Sequence, residues 1–426
     1  MEFTEYLKDT ITYELADPPA KEGYTFFGWY TNKDFEGEPV KSFDSYDAEH
    51  KNFYARYIKA GITVIKSDGT VIPGFEDIAL AIEEAAKNDG STVKLEADIT
   101  QNITFPEGNF TLDLNGFILK GTTPSPSYER NPPPVISNSG TLTIVDTSTT
   151  ESGVIEIPSP YRHYYGTYHA VSGISGGDII FKGGTIQGPD TPGSAIVASS
   201  VTMDGGTIIS TFKRYTDNGY PCGISASSVT MKSGSITLED EYTDIRSDTI
   251  YGIKADNENK VNNVNMEGGS ISIKSPTDII IDGEGAWGQR KAIAKGINVS
   301  GGDELTISGG KISVEAGKAY GIIGESSSNS KPLLYLLGDP TIVAGTADIS
   351  GFFALAAQPT NTQPYSYDPM NDFDSNSGSL TSSDSYTITE ADLTKFKSSH
   401  EDYELKFYPD AYPKPLISSV QKNATE

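Results

Sequence analysis

Side chains able to do chemistry collect in a few short segments of this chain. One holds Tyr161, Arg162, His163, Tyr164 and Tyr165, with His169 just beyond; another holds Phe212, Lys213, Arg214, Tyr215 and Tyr220. A third runs through Glu239, Asp240, Glu241, Tyr242, Asp244 and Asp248, and a fourth through Asp278, Asp282, Glu284, Trp287 and Arg290. Aromatic faces with carboxylates and guanidinium groups beside them suit sugars: the rings take apolar faces and the charged groups take hydroxyls. The binding expectation falls on Tyr161, Arg162, Tyr164, Tyr165, Tyr215, Tyr242, Trp287 and Arg290. The same segments offer a hydrolytic alternative, which needs two carboxylates about 5–9 Å apart, one with a raised pKa. Asp244, Asp248, Asp278 and Asp282 are its candidates. A third reading has the tyrosines only folding over the backbone they leave from and packing there.

Other chemistries have less to work with. Four histidines (His50, His163, His169, His400) are scattered, and one cysteine, Cys222, cannot build a zinc site or an intramolecular disulfide. Loop aspartates could hold a structural calcium, yet no EF-hand loop and no Gly-Gly-x-Gly-x-Asp nonapeptide is present. No cofactor and no metal is expected beyond that calcium.

The elements that must position these segments are repeats. A short phrase returns along residues 167–345: Gly183-Gly184-Thr185-Ile186, Gly205-Gly206-Thr207-Ile208, Ser233-Gly234-Ser235-Ile236, Gly268-Gly269-Ser270-Ile271, Gly309-Gly310-Lys311-Ile312 and the degenerate Asp339-Pro340-Thr341-Ile342. Each closes a longer unit, clearest as Cys222-Gly223-Ile224, then Val229-Thr230-Met231, then Ser235-Ile236-Thr237-Leu238. Such a unit reads as three short strands, apolar residues alternating with polar ones, separated by Gly, Ser, Asn and Asp turns. A unit this small cannot bury its own apolar face, so successive copies must stack strand on equivalent strand. The fold class expected is all-β, a right-handed parallel β-helix with three strands per turn of the coil. Equivalent isoleucines lie 22, 28, 35, 41 and 30 residues apart (186 to 208, 236, 271, 312 and 342). The excess over the shortest spacing is inserted loop, expected almost entirely after the third strand as one ridge. With turns about 5 Å apart that ridge would extend roughly 25 Å, the length of a short oligosaccharide.

Charge narrows the partners. The chain has 426 residues, 32 Lys and Arg against 58 Asp and Glu, and a formal net charge of −26. Nucleic acid and anionic membrane surfaces need a basic patch, and none is visible. No run of 18 apolar residues exists, so nothing in the sequence spans a bilayer as a helix. With no signal peptide or cell-wall sorting motif in sight, the expectation is a soluble stretch of a longer exported protein.

Residues 1–60 read as a separate small module. Pro19-Ala20-Lys21-Glu22-Gly23-Tyr24-Thr25-Phe26-Phe27-Gly28-Trp29-Tyr30, followed by Asn52-Phe53-Tyr54-Ala55-Arg56-Tyr57, resembles the Listeria–Bacteroides repeat, the B-repeat of internalin-type surface proteins. Tyr57 stands where that family usually has tryptophan. The resemblance implies a β-grasp-like spacer or adhesive module of a bacterial cell-surface protein, and no catalysis. Trp29 reads either as core or as a sugar-stacking platform.

A helix follows a strand and an Asp68-Gly69 turn: Phe75, Ile78, Ala79, Ile82, Ala85 and Ala86 recur at helical spacing, with Glu76 and Asp77 in the first turn and Asp89-Gly90 as the stop. Standing just before the first coil strands, it is expected to cover the coil's open end. The run from Ala79-Leu80-Ala81-Ile82 to Leu112-Asp113-Leu114-Asn115-Gly116 resembles the start of pectate-lyase-like β-helices of bacterial surface proteins, which implies fold and location. The residue sets of polygalacturonases (Asn-Thr-Asp, Asp-Asp, His-Gly, Arg-Ile-Lys) are absent, as is a lyase-type arginine phrase. Residues 61–350 are thus expected to be coil and 351–426 a cap or extension: 351–357 a last turn or capping strand, 358–387 a long polar loop, 389–397 a short helix, 403–408 a strand. The function expected is that of an extracellular, surface-attached or secreted adhesin-like protein presenting its loop ridge to a glycan or host protein. A polysaccharide-degrading enzyme and a structural stalk are the alternatives.

Overall fold

The computed structural model describes residues 12–19, 21, 24–44, 52–59, 61–123, 132–159, 171–191, 193–213, 221–241, 249–255, 262–276, 292–300, 303–325, 332–350, 354–355, 363–368, 379–382, 386–411 and 414–422. These residues are mostly β-strand, with one α-helix and one 3-10 turn, and nearly all the strands belong to one large sheet.

The N-terminal module is built from two antiparallel pairs. β1 (Thr12–Glu14) pairs with β3 (Ser42–Asp44), and β2 (Tyr24–Tyr30) with β4 (Tyr54–Lys59). A bridge between Trp29 and Val40 ties the two together. Trp29 is half-buried: its ring meets Phe26 edge-on at 5.6 Å and its Nε1 donates to the Ala16 carbonyl at 3.0 Å. It therefore packs inside the module rather than offering an open stacking face, and Tyr30 is the buried residue beside it. The helix that a β-grasp fold lays across such strands has no counterpart among the described residues of the module.

The large sheet begins with a hairpin, β5 (Ile62–Ile65) and β6 (Val71–Phe75), closed at Asp68-Gly69, where Asp68 accepts from the Thr70 N–H at 2.8 Å. Then comes α1 (Ile78–Ala85), which buries Ile78, Ala81, Ile82 and Ala85, the i, i+3, i+4, i+7 face of a helix. Its stripe starts later than the sequence suggests. Phe75 ends β6, and Asp77 is the N-cap, its carboxylate accepting from the Ala79 N–H at 2.9 Å. The helix packs on β5, on β7 (Thr92–Leu95) and on β9 (Ile103–Phe105), sealing apolar residues. The hydrogen-bonding edge of β7 is closed by β5, which pairs with it antiparallel, so strand and helix share the capping expected of the helix alone.

From β7 onward the strands stack in parallel as three ladders, most pairing with the third strand on, while the continuous Ser194–Phe212 and Cys222–Asp240 each run through all three. The predicted register holds: Ile186, Ile208, Ile236, Ile271, Ile312 and Ile342 face one another in turn, and all are buried. The same column runs back through Ile155 and Leu119 to Ile99 of β8 (Ile99–Thr100). Stacking like on like explains why the sequence can repeat: each side chain sees the same neighbours one turn above and below.

Two expectations need correction. The insertions do not make a single ridge. The 35-residue spacing from Ile236 to Ile271 is divided between residues 241–248, after a third strand, and 255–262, after a first strand. The 30-residue spacing to Ile342 leaves only Ala316 and Gly317 at the third-strand corner and puts its surplus at 326–332. Nor does the parallel strand pairing stop near 350. Within the stretch expected to be a polar loop, Tyr365–Asp368 and Ser379–Ser382 are strands that continue the parallel ladders, and Tyr365 faces Phe396 of the next strand. The expected helix is a 3-10 turn, Glu390–Lys395. Tyr403–Tyr408 is a strand, in a hairpin with Leu416–Gln421, and the latter pairs antiparallel with Ser379–Ser382.

Candidate functional site

The residues singled out for chemistry, Tyr161, Arg162, Tyr164, Tyr165, Tyr215, Tyr242, Trp287 and Arg290 for binding and Asp244, Asp248, Asp278 and Asp282 for hydrolysis, all lie outside the described residues. The described strands on either side of their segments are stacked in register. Val154–Glu156, the last parts of Ser194–Phe212 and Cys222–Asp240, and Ser270–Lys274 belong to the third ladder, while Ile174–Ser175, the first part of Cys222–Asp240, Thr249–Lys254 and Ile293–Ser300 belong to the first.

At the corner between the first and second ladders, the early turns form a polar groove of about 400 Å³. It is lined by Glu107, Asn109, Ser139, Thr141, Asp178 and Ser199 together with the backbone of Gly108, Gly140 and Gly177. Its shape follows from the local sequence. A Cβ on Gly140 would come within 2.1 Å of the Gly108 carbonyl oxygen, so the corner backbones stack directly and no side chain can stand between them. Asn109, Thr141, Asp178 and Ser200 then follow one another in a single register column, one per turn. Asn109 turns its amide N–H groups to Asp89 (2.9 Å), which also takes the Asn109 backbone N–H at 2.6 Å, leaving the amide oxygen as the free end of that side chain. Those bonds hold the Asp89 carboxyl below the ordinary carboxylate range. Ser200 donates to Asp178 Oδ1 at 2.6 Å, and Asn138, buried behind the groove, donates to the carbonyls of Gly140 and Asp178. The result is a column of oxygens at roughly 4.8 Å intervals.

Two carboxylate residues, Glu107 and Asp178, line this groove two turns apart, which sets their backbones roughly 10 Å from each other. Burial raises the carboxyl of another acid, Glu96, but it stands by Lys94, Thr63 and Asp113, outside the groove. A second concavity, about 360 Å³, lies at the far end of the coil, where His400 Nε2 is 3.0 Å from Oδ1 of the buried Asp368, with Tyr403, Lys397 and Glu404 around it. Among the described residues no three His, Cys, Asp or Glu side chains converge as a metal site would. None of the helices among them is long and apolar enough to cross a membrane.

Sequence reading missed the groove because its lining residues look like ordinary turn residues. The signal was the Gly that precedes each second strand (Gly108, Gly140, Gly177) with a polar residue one or two places later. Comparison of the chain with family models, with characterised proteins and with solved structures finds no match.

Proposed function

We propose that the chain is a right-handed parallel β-helix from the extracellular face of a bacterium, surface-attached or secreted, acting as an adhesin-like binding protein for an extended glycan. The observation that carries the reading is the groove: oxygen acceptors repeat once per turn along a coil, with a floor of bare backbone. A linear chain of hydroxyl-bearing units can follow such a column, each unit donating to one turn. Acidity sharpens the choice. With Glu107 and Asp178 in the groove and a chain charge of −26, polyuronates and sulfated chains are repelled, and neutral or amino sugars are favoured. The likeness of residues 13–57 to the internalin-type B-repeat and that of the early coil to pectate-lyase-like surface proteins support the location.

A glycan array probed with the whole chain tests this, with product release assayed in parallel on neutral and acidic polysaccharides. The expected result is binding to neutral or amino-sugar chains without product, at least tenfold weakened in Asn109→Ala combined with Asp178→Ala. Product release would overturn the binding reading in favour of hydrolysis by the Glu107 and Asp178 pair. Retention of full binding by the double variant would take the groove out of the site.

A further inference from the structure

A second buried polar cluster lies on the outer side of the first ladder, away from the groove. In Ile293–Ser300, Ile297 and Val299 belong to the core, and a Cβ on Gly296 would point at the core residues Ile312 and Val314. Two consecutive residues, Gly296 and Ile297, thus face inward, and the alternation of the strand is broken between them. Lys295 and Asn298 therefore leave on the same outer side, although an ideal strand would send them to opposite faces. Tyr251 and Lys254 flank the same Gly-Ile phrase one turn earlier, and the Lys254 ammonium lies 5.5 Å from the Tyr251 ring centroid.

Lys295 is 2% exposed and Asn298 1% exposed. One carboxylate, Glu325, joins them. Its Oε1 pairs with Lys295 Nζ, and its Oε2 accepts from Asn298 Nδ2 at 3.3 Å. The Tyr251 ring lies 5.2 Å from Lys295 Nζ, and Asn298 Oδ1 is buried with no hydrogen-bond partner. Such an arrangement is costly as a set of separate side chains: an ammonium is taken out of water and a buried amide oxygen is left bare. Burial pushes the Lys295 ammonium below its ordinary pKa, against the opposing pull of Glu325 and with help from the charge of Lys254.

We propose that Lys295 and Asn298 are joined by an intramolecular isopeptide bond, with Glu325 as the proton carrier. Glu325 takes a proton from the Lys295 ammonium, and the neutral Nζ attacks Asn298 Cγ. The carboxylic acid so formed returns the proton to the departing Nδ2. The Nζ–Cγ bond forms, the Cγ–Nδ2 bond breaks, and nitrogen leaves as ammonia, which takes up the second proton of the attacking amine and departs as ammonium. Nothing is oxidised or reduced and no co-reactant is needed. The reaction becomes feasible because folding holds a buried amine and a buried amide on the two oxygens of one carboxylate, an effective concentration no dilute pair reaches.

Intact-mass measurement on the folded whole chain tests this, followed by tryptic mapping. The expected chain is lighter than its sequence by one ammonia, about 17 Da. Trypsin should fail at Lys295, so residues 292–311 appear as one peptide carrying that loss. Glu325→Gln, shown by circular dichroism to remain folded, should restore both the full mass and the cleavage. A wild-type chain of full mass overturns the proposal. So does a loss of water linking Lys295 to Glu325, and so does ammonia loss with Lys295 still cleavable, the mark of a succinimide at Asn298. A linked E325Q chain removes Glu325 from the mechanism.

Discussion

Replacing Gly252 by alanine should destabilise the coil, against the usual direction of that change. In the unfolded chain alanine is less free than glycine, which by itself stabilises the native state by about 0.4–1 kcal/mol. Space decides otherwise. A Cβ at Gly252 would meet the Gly296 carbonyl oxygen at 2.5 Å and Ile271 Cγ2 at 2.6 Å, where ordinary contact begins near 3.4 Å. One obstacle is backbone of the next turn, which no rotamer change can move, so the two turns must separate. Overpacking of this kind costs about 1–3 kcal/mol, larger than the entropic gain. Gly223 and Gly296 repeat the arrangement, with carbonyl oxygens at 2.6 and 2.4 Å. Equilibrium urea unfolding followed by circular dichroism reads the difference, with Gly69 as the contrasting site. At Gly69 a Cβ meets nothing within 4 Å, but φ is +87°, so alanine there costs about 1 kcal/mol through conformation rather than space. Asparagine, which tolerates that region, should recover much of the loss at 69 and none at 252. An unchanged or raised urea midpoint for Gly252→Ala, or rescue there by asparagine, would refute the reasoning.

Two further outcomes follow from titrating groups. Cys222 is buried, its Sγ lies 3.2 Å from the Ile224 carbonyl, and burial pushes its thiol up to about 12, the charge of Lys254 opposing weakly. At pH 8 a thiol reagent should label the native chain on the order of a thousandfold more slowly than the urea-unfolded chain; similar rates would mean the first ladder is open there. At Asp146 burial pushes the carboxyl up, but bonds from the N–H groups of Gly153, Ser148 and Gly116 outweigh it and leave it below the usual range. A depressed native value favours folding above the unfolded value near ~3.9 and loses that contribution as pH falls through the native one. Asp146→Asn should therefore lower the urea midpoint clearly at pH 7 and much less at pH 3, and an equal gap at both would exclude the charge as the cause.

The parallel stacking of strands was legible because its signal is redundant. The spacing of six isoleucines, read without structure, gives the register in which they pair. What failed was local. Residues 358–387 look like a loop because Ser and Asp dominate, yet Tyr365 and Tyr367 are buried and continue the first ladder with aromatic residues in place of aliphatic ones. Ala316-Gly317 carries no mark distinguishing it from a site that holds a long insertion, so the second corner of insertions was invisible. Lys295 stands in a recurrent x-Gly-Ile phrase beside Cys222, Tyr251 and Tyr320, and its charge was the clue. Glu325 lies 30 residues further on, and only stacking of turns brings the two together. Sequence patterns report periodic burial well, whereas a polar cluster assembled across turns leaves no pattern to read.

A coil of parallel strands has no intrinsic end, since every turn presents the same edge to the next, and that edge would recruit another chain if left open. At each end, among the described residues, one of the three ladders is closed by a strand that reverses direction. β5 lies antiparallel on β7, and Leu416–Gln421 lies antiparallel on Ser379–Ser382. A reversed strand cannot be extended by another coil turn in register. The outer strand of each hairpin is itself blunted: Pro73 removes a donor from β6, and the exposed Glu404 and Lys406, paired at 3.0 Å, stand on Tyr403–Tyr408. In the proposed function an extended partner lies along the side of the ladders, where the acceptor column is, and the number of turns sets how many of its units can be held at once. Lengthening the column by one turn would add one unit of contact, so affinity in the proposed function should scale with turns rather than with the size of any single pocket.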